Sequence, residues 1–149
     1  MDPGKAMRIA MEEALRGQER GEVPIGAVLL EADRILARAH NETILANDPS
    51  AHAEIVAIRR AAIAAGNHRL PGTILCVTLE PCMMCFGAIL QARIGILYFG
   101  ARDPKAGGLQ LFEEAQQRGL VHGKLAITGG ILEEPAGAML TRFFREKRE

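Results

Sequence analysis

Tryptophan is missing from this 149-residue sequence, tyrosine occurs once, there are only three cysteines, and 18 basic residues are cancelled by 18 acidic ones. Each shortage narrows the possibilities. An odd, small number of cysteines argues against a disulfide framework and for metal or redox use in a reducing compartment. Zero formal net charge removes the global positive field that advertises a nucleic-acid partner, so any such binding must be local. No apolar run reaches the roughly 18 residues of a membrane span. The first residues have neither the basic nor the apolar part of a signal peptide. A soluble, cytoplasmic protein is therefore expected. Internal repeats, low-complexity tracts and Pro/Ser-rich linkers are absent too, so one domain over residues 1–149 is expected.

Apolar residues make up 48% of the chain, enough to build a real core at this length. Their period switches along the sequence. Pro3 suits a helix start, and Ala6, Met7, Ala10, Met11, Ala14 and Leu15 recur at helical spacing until Gly17 to Gly21. "IGAVLLE" and "RILARAHN" read as a hairpin turning near Ala32 and Asp33. A helix is expected from about Ala51 to Ala65, stopped by Gly66-Asn67 and capped by Asp48 or Ser50. "TILCVTL" reads as a strand covered on both faces, Pro81 as the opening of a helix through "CMMCFGAILQAR", and "IGILYFG" as a further strand. Helix "LFEEAQQR", strand "KLAIT" and a last helix from about Glu134 to Lys147 complete the order α-β-β-α-β-α-β-α-β-α. That alternation predicts a mixed five-stranded sheet with helices on both faces, a three-layer α/β/α sandwich.

Cys82 and Cys85 stand three apart at a helix start, where both thiols share a face and the helix dipole favours thiolates. A thioredoxin-like redox role expects such a pair after the first strand with a tryptophan nearby, and neither condition is met. A closed structural zinc needs four protein ligands, and only one C-x-x-C is present. His52, also at a helix start, is the best third ligand. His40, His68 and His122 are expected to be solvated or structurally hydrogen-bonded, and Cys76 to be a small buried apolar residue. Three ligands leave one position open to a water, whose pKa the metal would lower. Glu54, two residues from His52, does not share its helix face and is free to carry protons for that water.

His52-x-Glu54 followed by Pro81-Cys82-x-x-Cys85 is the signature of zinc-dependent nucleobase deaminases. The stretches "HNETILANDPSAHAEIVAIR", "TLEPCMMCFGAIL" and "RIGILYFGARDPKAGG" further resemble the bacterial tRNA adenosine deaminases, which convert the wobble adenosine of an anticodon to inosine. The likeness runs from "EVPIGAVL" to "RFFREKR". It implies a cytidine-deaminase-like fold, one zinc ion per subunit on His52, Cys82 and Cys85, Glu54 as the catalytic proton carrier, a homodimer, and a tRNA anticodon loop as partner.

Asn41 shares strand parity with Ile35, Ala37 and Ala39. A polar group ending an inward row needs a partner, and a substrate base would supply one, as the resemblance also implies. By the same resemblance the Ala53 N–H, Val23 and Pro81 shape the pocket, and Asp103 approaches the sugar. Arg102, Lys105, Arg142, Arg145, Lys147 and Arg148 would border the RNA. Of Phe143 and Phe144, at least one is expected in the core. Arg59 and Arg60 are expected to be a solvated face or subunit contact. The segment "LQLFEEAQQRGLVHG" departs from the family pattern beside the RNA groove. That departure keeps open a free guanine or cytosine deaminase of the same superfamily. A third alternative is a non-enzymatic module held by structural zinc, which would require a fourth ligand.

Overall fold

Alternating side chains along the strands decide how the layers stack. In the computed structural model, which describes residues 1–148, α1 (Pro3–Glu19) leads into β1 (Gly26–Glu31) and β2 (Arg34–His40). Next come α2 (Ala53–Ala65), β3 (Ile74–Leu79), α3 (Met83–Gln91) and β4 (Ile96–Ala101). The chain closes with α4 (Leu109–Gln117), β5 (Ala126–Thr128) and α5 (Glu133–Arg148). The five strands form one sheet in the order β2-β1-β3-β4-β5. β1 is antiparallel to β2 and β3, whereas β3, β4 and β5 are parallel. The mixed sheet and the α/β class are those expected.

Ala27 and Leu29 of β1, Leu75 and Val77 of β3, and Leu97 and Phe99 of β4 point to one face, where they pack with Ala57, Phe86, Ile89 and Phe112 from α2, α3 and α4. Val28, Leu30 and Cys76 point to the other and meet Ala6, Met7 and Ala10 of α1. α5 lies beside α1, the two lining a shared groove. Phe86 and Phe112 stack with centroids 4.8 Å apart, adding about 1 kcal/mol to their burial.

The hairpin direction determines where chemistry can occur. β2 runs antiparallel to β1 and β1 antiparallel to β3, so β2, β3 and β4 all end at the same edge of the sheet. The segments leaving those ends carry Asn41, Cys82 and Asp103.

Several boundaries differ from those expected. α3 begins at Met83, because Pro81 and Cys82 remain extended and Cys82 is the N-cap (φ −76, ψ 174). α2 begins at Ala53 with His52 as N-cap. Asp48 and Ser50 do not cap it: Asp48 Oδ1 instead accepts from the Ser50 N–H and hydroxyl within their own turn. β5 is a three-residue edge strand with no fully buried residue. Gly66 ends α2 in the left-handed conformation (φ 64), as its type requires.

Candidate active site

Two helix N-termini converge on a small cluster. His52 and Cys82 cap α2 and α3, and Cys85 lies one turn into α3. His52 Nδ1 is 3.6 Å from Cys82 Sγ and 3.6 Å from Cys85 Sγ, and the three ligand atoms lie within 4.8 Å of one another. A tetrahedral zinc with bonds of about 2.3 Å to sulfur and about 2.05 Å to nitrogen sets those atoms about 3.6 Å apart. The donor set and the nitrogen–sulfur spacings therefore fit zinc. Among the described residues no other such group of His, Cys, Asp or Glu gathers, and the cluster has no fourth protein ligand, which leaves a coordination position open.

Glu54 is 4% exposed and stands apart from the ligand set. Burial pushes its carboxyl up to about 7, with the His52 charge opposing and the Cys85 thiol lying against it. The two cysteines share a proton unequally. Cys82 is brought down to about 4, first by a hydrogen bond from Cys85 and then by His52. Cys85 is pushed up, first because it donates to the Cys82 thiolate and then by burial. The bond to Cys82 also raises His52, against the effect of burial. A divalent cation binding here would displace the Cys85 proton. Cys76 lies on the α1 face of β3 with its thiol raised to about 12 by burial, an inert core position.

The proposed substrate residues are distributed unevenly around this cluster. Asn41 is buried and its Oδ1 accepts from the Ala53 N–H at 3.1 Å. The Ala53 N–H is thus committed to Asn41 instead of facing the pocket directly, and among the described residues the Asn41 amide NH2 makes no side-chain hydrogen bond of its own. His40 points the opposite way, as parity requires: its Nδ1 donates to the Asn41 carbonyl at 2.7 Å and its Nε2 receives Arg20 at 3.2 Å. Val23, Arg102, Asp103 and Lys105 line a cleft of about 530 Å³ closed on the far side by Leu140 and Phe144 of α5. Asp103 Oδ1 accepts from the Lys105 and Ala106 N–H groups, so it shapes its own turn. Pro81 is buried and its carbonyl accepts from Gly108. Arg145 lines a neighbouring cleft with Arg102 and Arg142.

Other expectations are revised. Phe143 and Phe144 form an edge-to-face pair, but Phe143 is only half-buried and Phe144 is 48% exposed, so neither is a core residue. α4 and the turn after it line a small apolar pocket against α3, and none of its residues lines the 530 Å³ cleft. Arg59 and Arg60 are exposed, as expected of a solvated face; Arg59 also pairs with Asp48, and Arg60 binds Glu42 and the Arg38 carbonyl, so both tie down the turn that leads to His52.

Two residues escaped the sequence reading. Glu22 is fully buried and accepts from the N–H groups of Ile44 and Leu45, at 3.3 and 2.7 Å. Glu80 is 8% exposed and accepts from the N–H groups of Asp103 and Leu109, both at 3.2 Å. For Glu80 a signal was present, a carboxylate closing a nearly all-apolar strand; for Glu22 there was none.

The profile of the MafB19-like deaminases matches residues 1–147. A tRNA-specific adenosine deaminase from Agrobacterium fabrum is 47% identical over 142 residues, covering 95% of this chain and 93% of the relative. A solved structure from studies of A-to-I editing by tRNA:A34 deaminases at the wobble position of transfer RNA superposes with a TM-score of 0.86 at 45% identity, over 91% of this chain and 99% of that one. The guanine deaminase of Nitrosomonas europaea shares the fold at a TM-score of 0.81 and 25% identity, over 95% of this chain and 84% of that one.

Proposed function

Because the chain belongs to the tRNA-specific adenosine deaminases, within the MafB19-like deaminase family, we propose that it hydrolyses the wobble adenosine of a tRNA anticodon to inosine and releases ammonia. The observation that carries the proposal is the three-ligand cluster with one open position beside a separate buried carboxylate. Zinc held by His52, Cys82 and Cys85 would supply a water acidified towards neutrality. Glu54, buried against the Cys85 thiol, would take a proton from the water and pass it to ring N1, then take the proton of the C6 hydroxyl so formed and pass it to the departing amine, ending unchanged. Asn41, fixed through the Ala53 N–H, would offer its amide NH2 to the base, and Val23 and Pro81 would wall the pocket. Arg102, Asp103, Lys105 and Arg145 would meet the flanking nucleotides. Among the described residues none of those three cations lies within 4.0 Å of a carboxylate, which supports their availability to phosphates.

Residues 1–149 would act as a single zinc-dependent deaminase domain, with one ion per subunit. No helix of the described residues is long and apolar enough to cross a membrane, and a tRNA substrate points to the cytoplasm. Exposed Met83, Met84 and Leu111, at 61, 41 and 51%, form an apolar surface over α3 and α4 that suits a homodimer; sedimentation at micromolar concentration tests it. The function itself is tested by ammonia release from an anticodon stem-loop with a wobble adenosine, assayed beside guanine, cytosine and cytidine. Turnover of the stem-loop alone is expected, and turnover of only the free bases would refute the proposal.

A further inference from the structure

We propose that Glu80 is a positioning residue for the RNA substrate, acting through the loop between β4 and α4. The inference rests on the tRNA reading above. The two oxygens of this buried carboxylate reach the two ends of that loop, Oε1 at the Asp103 N–H and Oε2 at the Leu109 N–H. The loop is thereby closed into a ring on one side chain. Gly107 passes directly over that side chain, where a Cβ would fall inside the carboxylate. Gly108 continues the attachment: its N–H donates to the Pro81 carbonyl at 2.8 Å, and its backbone lies on Cys82 and Met83 with no room for a Cβ. The loop is therefore stapled to the strand-to-helix turn that carries Cys82, and it presents Asp103 and Lys105 to the cleft facing Val23 and Phe144.

Chemistry explains why a carboxylate stands here. An anion with two oxygens satisfies two main-chain donors at once, and charge-assisted bonds of this kind are stronger than neutral ones. Glutamine has one acceptor oxygen and sets its NH2 against the second N–H, so it keeps the volume and loses the ring. Among the described residues the Glu80 carboxylate hydrogen-bonds to loop amides and to none of the metal ligands, so its influence falls on substrate holding and not on bond cleavage.

Glu80→Gln in the zinc-loaded full chain tests this through zinc content, steady-state kinetics on the anticodon stem-loop, and amide hydrogen exchange. Zinc should stay at one per chain, kcat should stay within about threefold, and KM should rise about tenfold or more. Exchange at Asp103 and Leu109 should accelerate while α2 keeps its protection. Gly107→Ala strains the same ring from the loop side and should reproduce the KM effect, which covers a Glu80→Gln chain that does not fold. Unchanged exchange at the two amides, an unchanged KM despite faster exchange, or loss of zinc together with kcat would each overturn the inference. A wild-type chain inactive on the stem-loop would instead refute the tRNA reading, and the exchange rates would then decide the loop anchor alone.

Discussion

Replacing Glu54 by glutamine should stabilise the folded chain while abolishing its activity. Burial raises the Glu54 carboxyl from 4.5 to about 7, so the folded chain holds this proton more tightly than the unfolded chain does. Below pH 4.5 both states are protonated and nothing is lost. Between 4.5 and 7 the unfolded chain ionises first and stability falls, and above 7 the full penalty applies, worth about 3 kcal/mol. Glutamine removes that penalty. In chelator-stripped protein, urea unfolding followed by circular dichroism should show Glu54→Gln more stable than wild type by up to about 3 kcal/mol at pH 8, with the gap closing by about pH 4. In zinc-loaded protein the gap should shrink, since a nearby cation favours the carboxylate. Turnover should fall by about 10² to 10⁴ with zinc content unchanged. A glutamine variant that is less stable at pH 8, or a gap that does not move with pH, would refute burial as the source of the raised carboxyl. Retained turnover would refute the proton role.

Cys82→Ser and Cys85→Ser should each lose zinc by atomic absorption, whereas Cys76→Ser should keep it and lose about 1–3 kcal/mol of stability from a hydroxyl buried in an apolar layer. Asn41→Ala removes the acceptor at the first N–H of α2. Thermal unfolding should register about 1 kcal/mol of destabilisation, together with a loss of stem-loop turnover that zinc cannot restore. Lys105→Ala should weaken stem-loop binding about equally across sequences and lower the slope of log affinity against log salt by roughly one, as fluorescence anisotropy over a salt series would show.

The legible part of the site was the part encoded by residue type at short spacing. His52 with Glu54, and Cys82 with Cys85, declare themselves because one helical turn dictates which groups face together. Strand parity likewise placed Asn41 and His40 on opposite faces, His40 being buried against α1. What the sequence concealed was return traffic. Glu22 is buried because the turn at Ile44 and Leu45 folds back onto it, and Glu80 because the loop from Asp103 to Leu109 does. The carboxylate closing the apolar strand hints at Glu80's burial, but neither closure leaves a local pattern that names its partners. The early start expected for α3 failed for a related reason: Pro81 is compatible with a first helical turn, but its carbonyl is held by Gly108 and the chain stays extended through Cys82. Phe143 and Phe144 are adjacent large aromatics on a helix, of which one is ordinarily buried, yet α5 turns that stretch towards the cleft rim and solvent.

The order of the strands divides the chain's duties in a way open to evolutionary change. All the metal ligands, Glu54 and Asn41 fall between residues 41 and 85, just after β2 and in the first turns and caps of α2 and α3, whereas the cleft beside Lys105 is walled chiefly by residues beyond Gly100. A lineage can therefore keep the first stretch, and with it the reaction, while mutation and drift rework the second to admit a different nucleotide context. Glu80 stands at the boundary, so the loop it anchors can change its outward side chains while staying tied to the turn that carries Cys82.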